Sequence, residues 1–524
     1  MHTSDQFLKS YKSMKDWHKF RLRLFAEGIA IGIFAGLVIC FFRGALAVVE
    51  QLRFSFYLRK WVCPLHYHVI WISIVLIFGL ILNWLRKKEP MASGSGIPQV
   101  KGVLLGVMKL RWFSVLWVKI VGGVLGIGAG LSLGREGPSI QLGAVTAQGL
   151  SRFLGRTKIE ERYLMTSGAS AGLAAAFNAP LAGVIFALEE LHRNFSIMVL
   201  LPSMAAAFTA TLISRGLFGR AAIFEFPNLQ LLPMHYYGLV IVVALVVGLA
   251  GVVFNRGLLS VGKFYSLPIF KKPLVRILFA LSCSILLGYT LPEVLGGGAE
   301  LINNLAKTPV SLQMLALLLV AKFIFTLISY GCGTPGGFFL PMLVIGALCG
   351  CVCAGVLMKF GLISAAYAAN VVVISMTALF ASSVRAPITG TVLIMEMTGS
   401  YQQLLSLAIA AMVAFVVAEL CHSKPIYEEL LHRSLNASQP RTEVLKQRNL
   451  VELSVCDGSE LAHKMLKDIH WPPRVLVIEI RRGEEQITPN GDALIMPGDF
   501  IYVLAENGVA VELQNMAGAE KLES

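Results

Sequence analysis

The chain has 524 residues, of which 56% are hydrophobic and only 15% charged. Soluble globular domains carry about 25% charged residues, so an ordinary soluble protein and a disordered one are both excluded, and a polytopic helical membrane protein is indicated. The formal net charge of +14 reads as Lys and Arg gathered in cytoplasmic loops, with membrane lipid and not nucleic acid as the partner.

In chain order, Lys9, Lys12, Lys15, Lys19, Arg21 and Arg23 precede the first apolar run. Residues 1–24 therefore read as a cytoplasmic, interfacial segment, and no small-residue cleavage site marks it as a removed signal peptide. Apolar spans follow at about 25–48, 68–85, 112–131, 196–217, 236–256, 275–291, 311–330, 339–358, 366–383 and 403–420. Arg86-Lys87-Lys88 closes the second span, which returns it to the basic side. Shorter apolar segments lie between, opened by Gly94-Ser95-Gly96-Ile97-Pro98, Gly134-Arg135-Glu136-Gly137-Pro138 and Gly336-Gly337-Phe338-Phe339-Leu340-Pro341. Several are too short for roughly 30 Å of hydrocarbon. Broken helices at that depth are tolerated where they line a cavity, and in transporters they mark the substrate site. Cys349, Cys351 and Cys353 fan apart at helical spacing with no His nearby, so no metal site is expected.

The chain repeats itself. Gly134, Pro138, Gly143 and Ala144 recur as Gly337, Pro341, Gly346 and Ala347, offset by 203. Ala179-Pro180, Gly183 and Glu189 recur as Ala386-Pro387, Gly390 and Glu396, offset by 207. Two motifs in one order at nearly one offset indicate an internal duplication of roughly 200 residues. The spacing by itself leaves open whether the copies are inverted.

A Gly/Pro-opened helix presents N–H groups without intrahelical partners and the positive end of its dipole. Glycine lets a ligand approach the backbone, and proline pre-sets the first turn. Several such ends aimed at one point would bind an anion. Ser95 adds a hydroxyl donor, while Phe338 and Phe339 add amides and water-excluding rings. Glu136 stands in the middle of one such helix start. Ionised, it competes with a dissolved anion for the same N–H groups; protonated, it swings away, so one residue is both gate and proton carrier. The competing reading pairs it with Arg135. Glu189 and Glu190 end an apolar helix and point about 100° apart, so at most one faces a pathway. Lys119 and Lys322 are the isolated cations of the spans, either structural or setting the local anion potential. No His-Glu-x-x-His, paired Asp or nucleophile–base set is present, so an intramembrane enzyme is not expected. Residues 441–524 are polar. Strands are read at 475–480 and 500–504, a turn at Arg482-Gly483 and a helix at 461–469, making a small α+β soluble domain at the C-terminus.

At these residues the chain resembles the CLC family of chloride channels and proton/chloride exchangers over approximately residues 20–433. The resemblance rests on the motifs of Gly94, Ser95, Gly96, Ile97 and Pro98; of Gly134, Arg135, Glu136, Gly137 and Pro138; and of Gly337, Phe338, Phe339, Leu340 and Pro341. Phe177-Asn178-Ala179-Pro180-Leu181-Ala182-Gly183 and Lys424-Pro425-Ile426-Tyr427 add to it. It implies an all-α polytopic membrane protein of two inverted repeats with broken and tilted helices. The membrane domain is 25–433, with repeats at about 25–217 and 236–420. It also implies a homodimer with one ion path per subunit, in a bacterial inner membrane with both termini cytoplasmic. Chloride, as substrate and not cofactor, would be held by the Ser95 and Tyr427 hydroxyls and the Phe338 and Phe339 amides. Glu136 matches the external gating glutamate and Glu190 the internal proton glutamate of exchangers. That second acid favours a proton-coupled chloride antiporter over a passive chloride channel. Gln99 and Lys101 depart from the acidic residues of bacterial exchangers. Residues 441–524 resemble the C-terminal half of RCK domains, around Pro497-Gly498-Asp499, which leaves room there for a small-molecule or nucleotide ligand.

Overall fold

The structure is a computed structural model that describes residues 2–58, 64–192, 196–226, 229–307, 310–438, 448–482, 485–506 and 509–518. The chain forms two compact units, Met1–Leu430 and Leu431–Ser524.

The larger unit is helical. In chain order its helices are α1 (His2–Leu58), α2 (Leu65–Lys88), α3 (Ile97–Leu104), α4 (Trp112–Gly128), α5 (Glu136–Phe153), α6 (Lys158–Phe177), α7 (Pro180–Phe186), α8 (Ile197–Phe218) and α9 (Tyr237–Phe264). They continue as α10 (Pro273–Thr290), α11 (Ala299–Lys307), α12 (Leu312–Gly331), α13 (Phe339–Lys359), α14 (Ala368–Val384), α15 (Pro387–Thr398) and α16 (Leu404–Leu420). The last, α17 (Ile426–Ser438), runs past the boundary between the units. Among the described residues, nine helices are long and apolar enough to cross a membrane. The basic segment is not a separate interfacial helix, because α1 runs unbroken from His2 through the first span. The span expected at 112–131 is the 17-residue α4, about 26 Å long at 1.5 Å per residue.

Small residues set the packing. A Cβ at Gly143 would lie 2.0 Å from the Gly168 carbonyl oxygen, and one at Gly168 would lie 2.3 Å from that of Gly143. Backbone therefore touches backbone between α5 and α6, the close approach that replaces hydrophobic driving force inside a membrane. On the outside of α9, Val242, Val246, Leu249 and Val253 are all about half exposed, the apolar stripe of a helix that faces hydrocarbon.

The duplication is inverted. α5 and α13 begin at Glu136 and Phe339, and α7 and α15 begin at Pro180 and Pro387. Asn178 and Arg385, just before the second pair, both take left-handed backbone, with φ of 57° and 69°. Glu189 accepts from the Ile388 and Thr389 amides at the start of α15 (3.3 and 2.7 Å). Its counterpart Glu396 accepts from the Leu181 and Ala182 amides at the start of α7 (3.2 and 2.8 Å). Each copy's glutamate caps the other copy's helix, a swap that a two-fold axis between the halves produces. Antiparallel pairing of Gly134 with Gly337 obeys the same symmetry.

The smaller unit carries an antiparallel sheet of strands β1 (Arg448–Ser454), β2 (Leu476–Arg482), β3 (Glu485–Ile487) and β4 (Phe500–Glu506), in the order β1-β4-β2-β3. Helix α18 (Ala510–Ala517) follows β4. Ile480, Ile501, Val503 and Leu453 face its core. The helix expected at 461–469 does not form. Its amides bond outward instead: His463 to the Ile495 carbonyl, Leu466 to Ala493 and Lys467 to Gly491, at 2.9–3.0 Å. Only a 3₁₀ turn remains, at Leu466–Asp468. Of the expected turn at Arg482-Gly483, Gly483 lies outside the described residues.

Asp499 anchors this sheet. Its fully buried carboxylate takes a two-pronged bond from Arg482 (2.8 and 2.9 Å) and the Met496 amide (2.9 Å). Burial alone would push the Asp499 carboxyl up, but the Arg482 and Met496 bonds outweigh it and hold it below its ordinary value. A depressed folded-state value means stability present above about pH 3.9, the unfolded value, and lost as pH falls through the folded one. Asp499→Asn should cost about 1.5–3 kcal/mol, the worth of hydrogen bonds to a charged group. Amide exchange in β2 and β4 of the full chain checks it: protection falls at neutral pH in the variant, and its further loss on acidification is smaller than in the parent.

Candidate functional site

Three helix breaks meet inside the larger unit. Gly134 and Gly337 exchange both backbone bonds (2.6 and 2.9 Å), joining the loops that open α5 and α13. Gly94 donates to the Thr334 carbonyl and accepts from the Gly336 amide (3.1 and 3.0 Å), adding the loop that opens α3. Gly94 and Gly96 sit at φ of 64° and 92°, backbone that only glycine adopts without strain. A Cβ at Gly137 would lie 2.5 Å from the Ser95 Oγ, and one at Gly96 2.5 Å from the Gln141 Oε1. The glycines thus bring three helix starts within van der Waals reach of one another.

Two buried cations lock the loops. Lys119 donates to the Ala92 and Gly94 carbonyls (2.9 and 2.7 Å), and Lys322 to the Val294 and Gly296 carbonyls (both 2.8 Å). The two lysines are 203 residues apart, the same offset as the paired glycines. Each ammonium is engaged by two backbone carbonyls of a loop, which supports the structural reading of both lysines.

Ser95, Phe338, Phe339, Glu136 and Tyr427 are all buried. Ser95 Oγ makes one long contact, from the Ile97 amide at 3.4 Å. Phe338 stacks on Tyr427 with ring centroids 5.3 Å apart and takes the Tyr330 ring edge-on at 4.9 Å. Phe339 lies against Phe177, Phe186 and Phe380. The Tyr427 hydroxyl and both Glu136 carboxylate oxygens are buried without a hydrogen-bond partner. Tyr330, Glu190 and Glu136 are the ionisable groups around Tyr427. Arg135 forms no ion pair with Glu136 among the described residues, and its Nε is likewise unpartnered. Buried polar groups are ordinarily bonded, so orphans clustered at helix starts point to a polar guest. Gly134, Arg135 and Leu340 also line a cavity of about 330 Å³, shared with Glu50, Arg53 and Glu300.

Glu190 also lies in the surroundings of Tyr427, in a π-helical turn, Ala187–His192, that prolongs α7. Its Oε1 lies 2.7 Å from the Lys101 Nζ. Glu189 points elsewhere, into the start of α15. Gln99 donates to the Ser93 carbonyl at 3.1 Å and stays outside the cluster. Sequence reasoning missed Tyr330, an aromatic in an apolar helix with nothing to distinguish it. It also missed the Lys101 partnership, for which the signal was present: a cation in an eight-residue apolar helix.

The pattern of the voltage gated chloride channel family matches residues 75–419, and that of the TrkA-C domain matches residues 450–518. The H(+)/Cl(-) exchange transporter ClcA of Vibrio vulnificus is 35% identical over 434 residues, covering 80% of this chain and 91% of that transporter. The crystal structure of a slow cyanobacterial Cl-/H+ antiporter is similar at 33% identity and a TM-score of 0.75, over 80% of this chain and 99% of that one. A CLC-type fluoride/proton antiporter aligns at 26% identity and a TM-score of 0.64, over 78% and 97%. The C-terminal match agrees with the expected likeness to the second half of RCK domains. The chain belongs to the voltage gated chloride channel family and carries a TrkA-C domain at its C-terminal end.

Proposed function

We propose that the chain exchanges chloride for protons across a bacterial inner membrane, as its relatives named exchange transporters and antiporters do. The observation that carries this reading is the buried, partnerless Glu136 carboxylate at the joined starts of α5 and α13. Chloride sits between the Ser95 and Tyr427 hydroxyls and the Phe338 and Phe339 amides, where unpaired N–H groups and helix dipoles favour an anion. The ionised Glu136 and a chloride ion compete for the same donors, so protonation and anion entry alternate. Glu190 supplies protons from the inner side. Each subunit of a homodimer carries one path, both termini lie in the cytoplasm, and the TrkA-C domain regulates transport on binding a small molecule or nucleotide. Chloride-gradient-driven proton uptake into liposomes tests the exchange. Uphill uptake supports it, and chloride flux with no coupled protons leaves a passive channel.

Replacing Ser95 by Ala together with Tyr427 by Phe removes two donors to a charged guest, each worth about 1.5–3 kcal/mol. Chloride affinity in calorimetric titration should fall by at least about tenfold. Unchanged affinity would leave the amides alone as the binding site.

A further inference from the structure

Lys101 stands on α3, one turn beyond Pro98, and its ammonium is buried 2.7 Å from the Glu190 carboxylate, with both side chains only 2% exposed. The same Nζ lies 3.9 Å from Oε1 of Glu428, whose side chain is 30% exposed. Glu428 directly follows Tyr427 on α17. Water, Glu428, Lys101 and Glu190 therefore form a line that leads from a partly exposed carboxylate to a buried one. Isolated buried charges are costly, so the lysine is where it is because both acids are there.

The geometry points to Lys101 as the residue that positions Glu190 and passes its protons, with Glu428 as the entry acid. This rests on the reading of Glu190 as the inner proton acid. An N–H bond of the Lys101 ammonium breaks, and an O–H bond forms at Glu190. The neutral amine then takes the proton of a protonated Glu428, and Glu428 recovers one from water. One proton has moved from water to Glu190, and Lys101 and Glu428 end as they began.

Among the described residues, the surroundings of Glu190 hold few other ionisable groups. α6 brings Arg162 and Tyr163, beside His192 of the same π turn, and the His192 ring meets Tyr163 and the Thr166 hydroxyl. α17 brings Tyr427 and Glu428. Glu189, next in the chain, is engaged by α15, and α7 has no ionisable side chain. The single ionisable side chain of α8, Arg215, is bound to Asn178. Among the described residues Lys101 is a cation in direct contact with Glu190, and its removal should be felt at that carboxylate.

The test is proton uptake by the full chain in liposomes, driven by a chloride gradient and measured against pH on the Glu190 side, for the parent and for Lys101→Gln, Lys101→Arg, Glu428→Gln and Glu190→Gln. A neighbouring cation favours the ionised carboxylate, commonly by one to three pH units, so Lys101→Gln should move the half-maximal pH upward by about one unit or more. Glu428→Gln should move it downward, since the ammonium is then shared with no second acid. Lys101→Arg keeps the charge but cannot surrender a proton, so its midpoint stays near the parent's while proton flux drops. Midpoints unmoved in Lys101→Gln and Glu428→Gln, with uptake abolished in Glu190→Gln, would overturn the role of Lys101 and leave that of Glu190 intact. Parental flux in Lys101→Arg would overturn the relay. Uphill uptake persisting in Glu190→Gln would overturn the reading of Glu190 itself. If Lys101→Gln does not fold, the sign of the Glu428→Gln shift decides.

Discussion

Glu136→Gln should leave chloride moving and stop proton movement altogether. The carboxylate is fully buried at the first residue of α5, both oxygens are without a partner, and it fills the space that a Cβ on Gly134 would need. The nearest donors are backbone amides, its own and that of Leu340, and neither reaches hydrogen-bonding geometry with it; they are the kind of donor an anion uses at a helix start. Glutamine has the shape of the protonated acid and no ionisable proton. It can neither rebind as an anion nor carry a proton, so the alternation that couples the two fluxes is lost. Chloride-driven proton uptake should fall to background, about 10²-fold or more, the usual worth of a proton-transferring side chain. A chloride electrode and a pH electrode on the same vesicles read both fluxes. Uphill proton pumping in the variant would remove Glu136 from the gate.

Glu190→Gln should likewise abolish proton uptake while chloride still crosses, and Glu189→Gln should not. The two residues are adjacent, yet the structure gives them different work. Glu190 faces Lys101 and the surroundings of Tyr427. Glu189 takes two backbone amides and the Thr389 hydroxyl at the start of α15, the last at 2.6 Å. Its neutral amide variant gives up charge-assisted bonds and should lose about 1.5–3 kcal/mol of stability, seen as a lower melting temperature with the stoichiometry of exchange retained. Glu396→Gln, the symmetric change, should do the same. Coupled exchange persisting in Glu190→Gln, or lost in Glu189→Gln, would reverse the assignment.

What was legible in the sequence was whatever is written locally. Apolar runs announce membrane spans because hydrocarbon demands them over some twenty residues. The helix breaks announce themselves through Gly and Pro, whose backbone preferences need no neighbours. The offsets of 203 and 207 residues revealed the duplication, in which Glu189 recurs as Glu396. The inversion came at this stage only through the family resemblance; in the structure it stands on exchanged caps. Lys119 and Lys322 could not be assigned before their carbonyl partners were known, because those partners lie more than twenty residues away. The spacing of Leu461, Met465 and Ile469 suits a helix, but the backbone of 491–495 offers the segment's amides better-placed acceptors. Lys101 shows the division most plainly. Alone it is a cation in an apolar octapeptide, and only the tertiary structure, by bringing up a π turn 89 residues onward, decided which charge it answers, since the energy of a buried charge is set by what surrounds it and not by what precedes it in the chain.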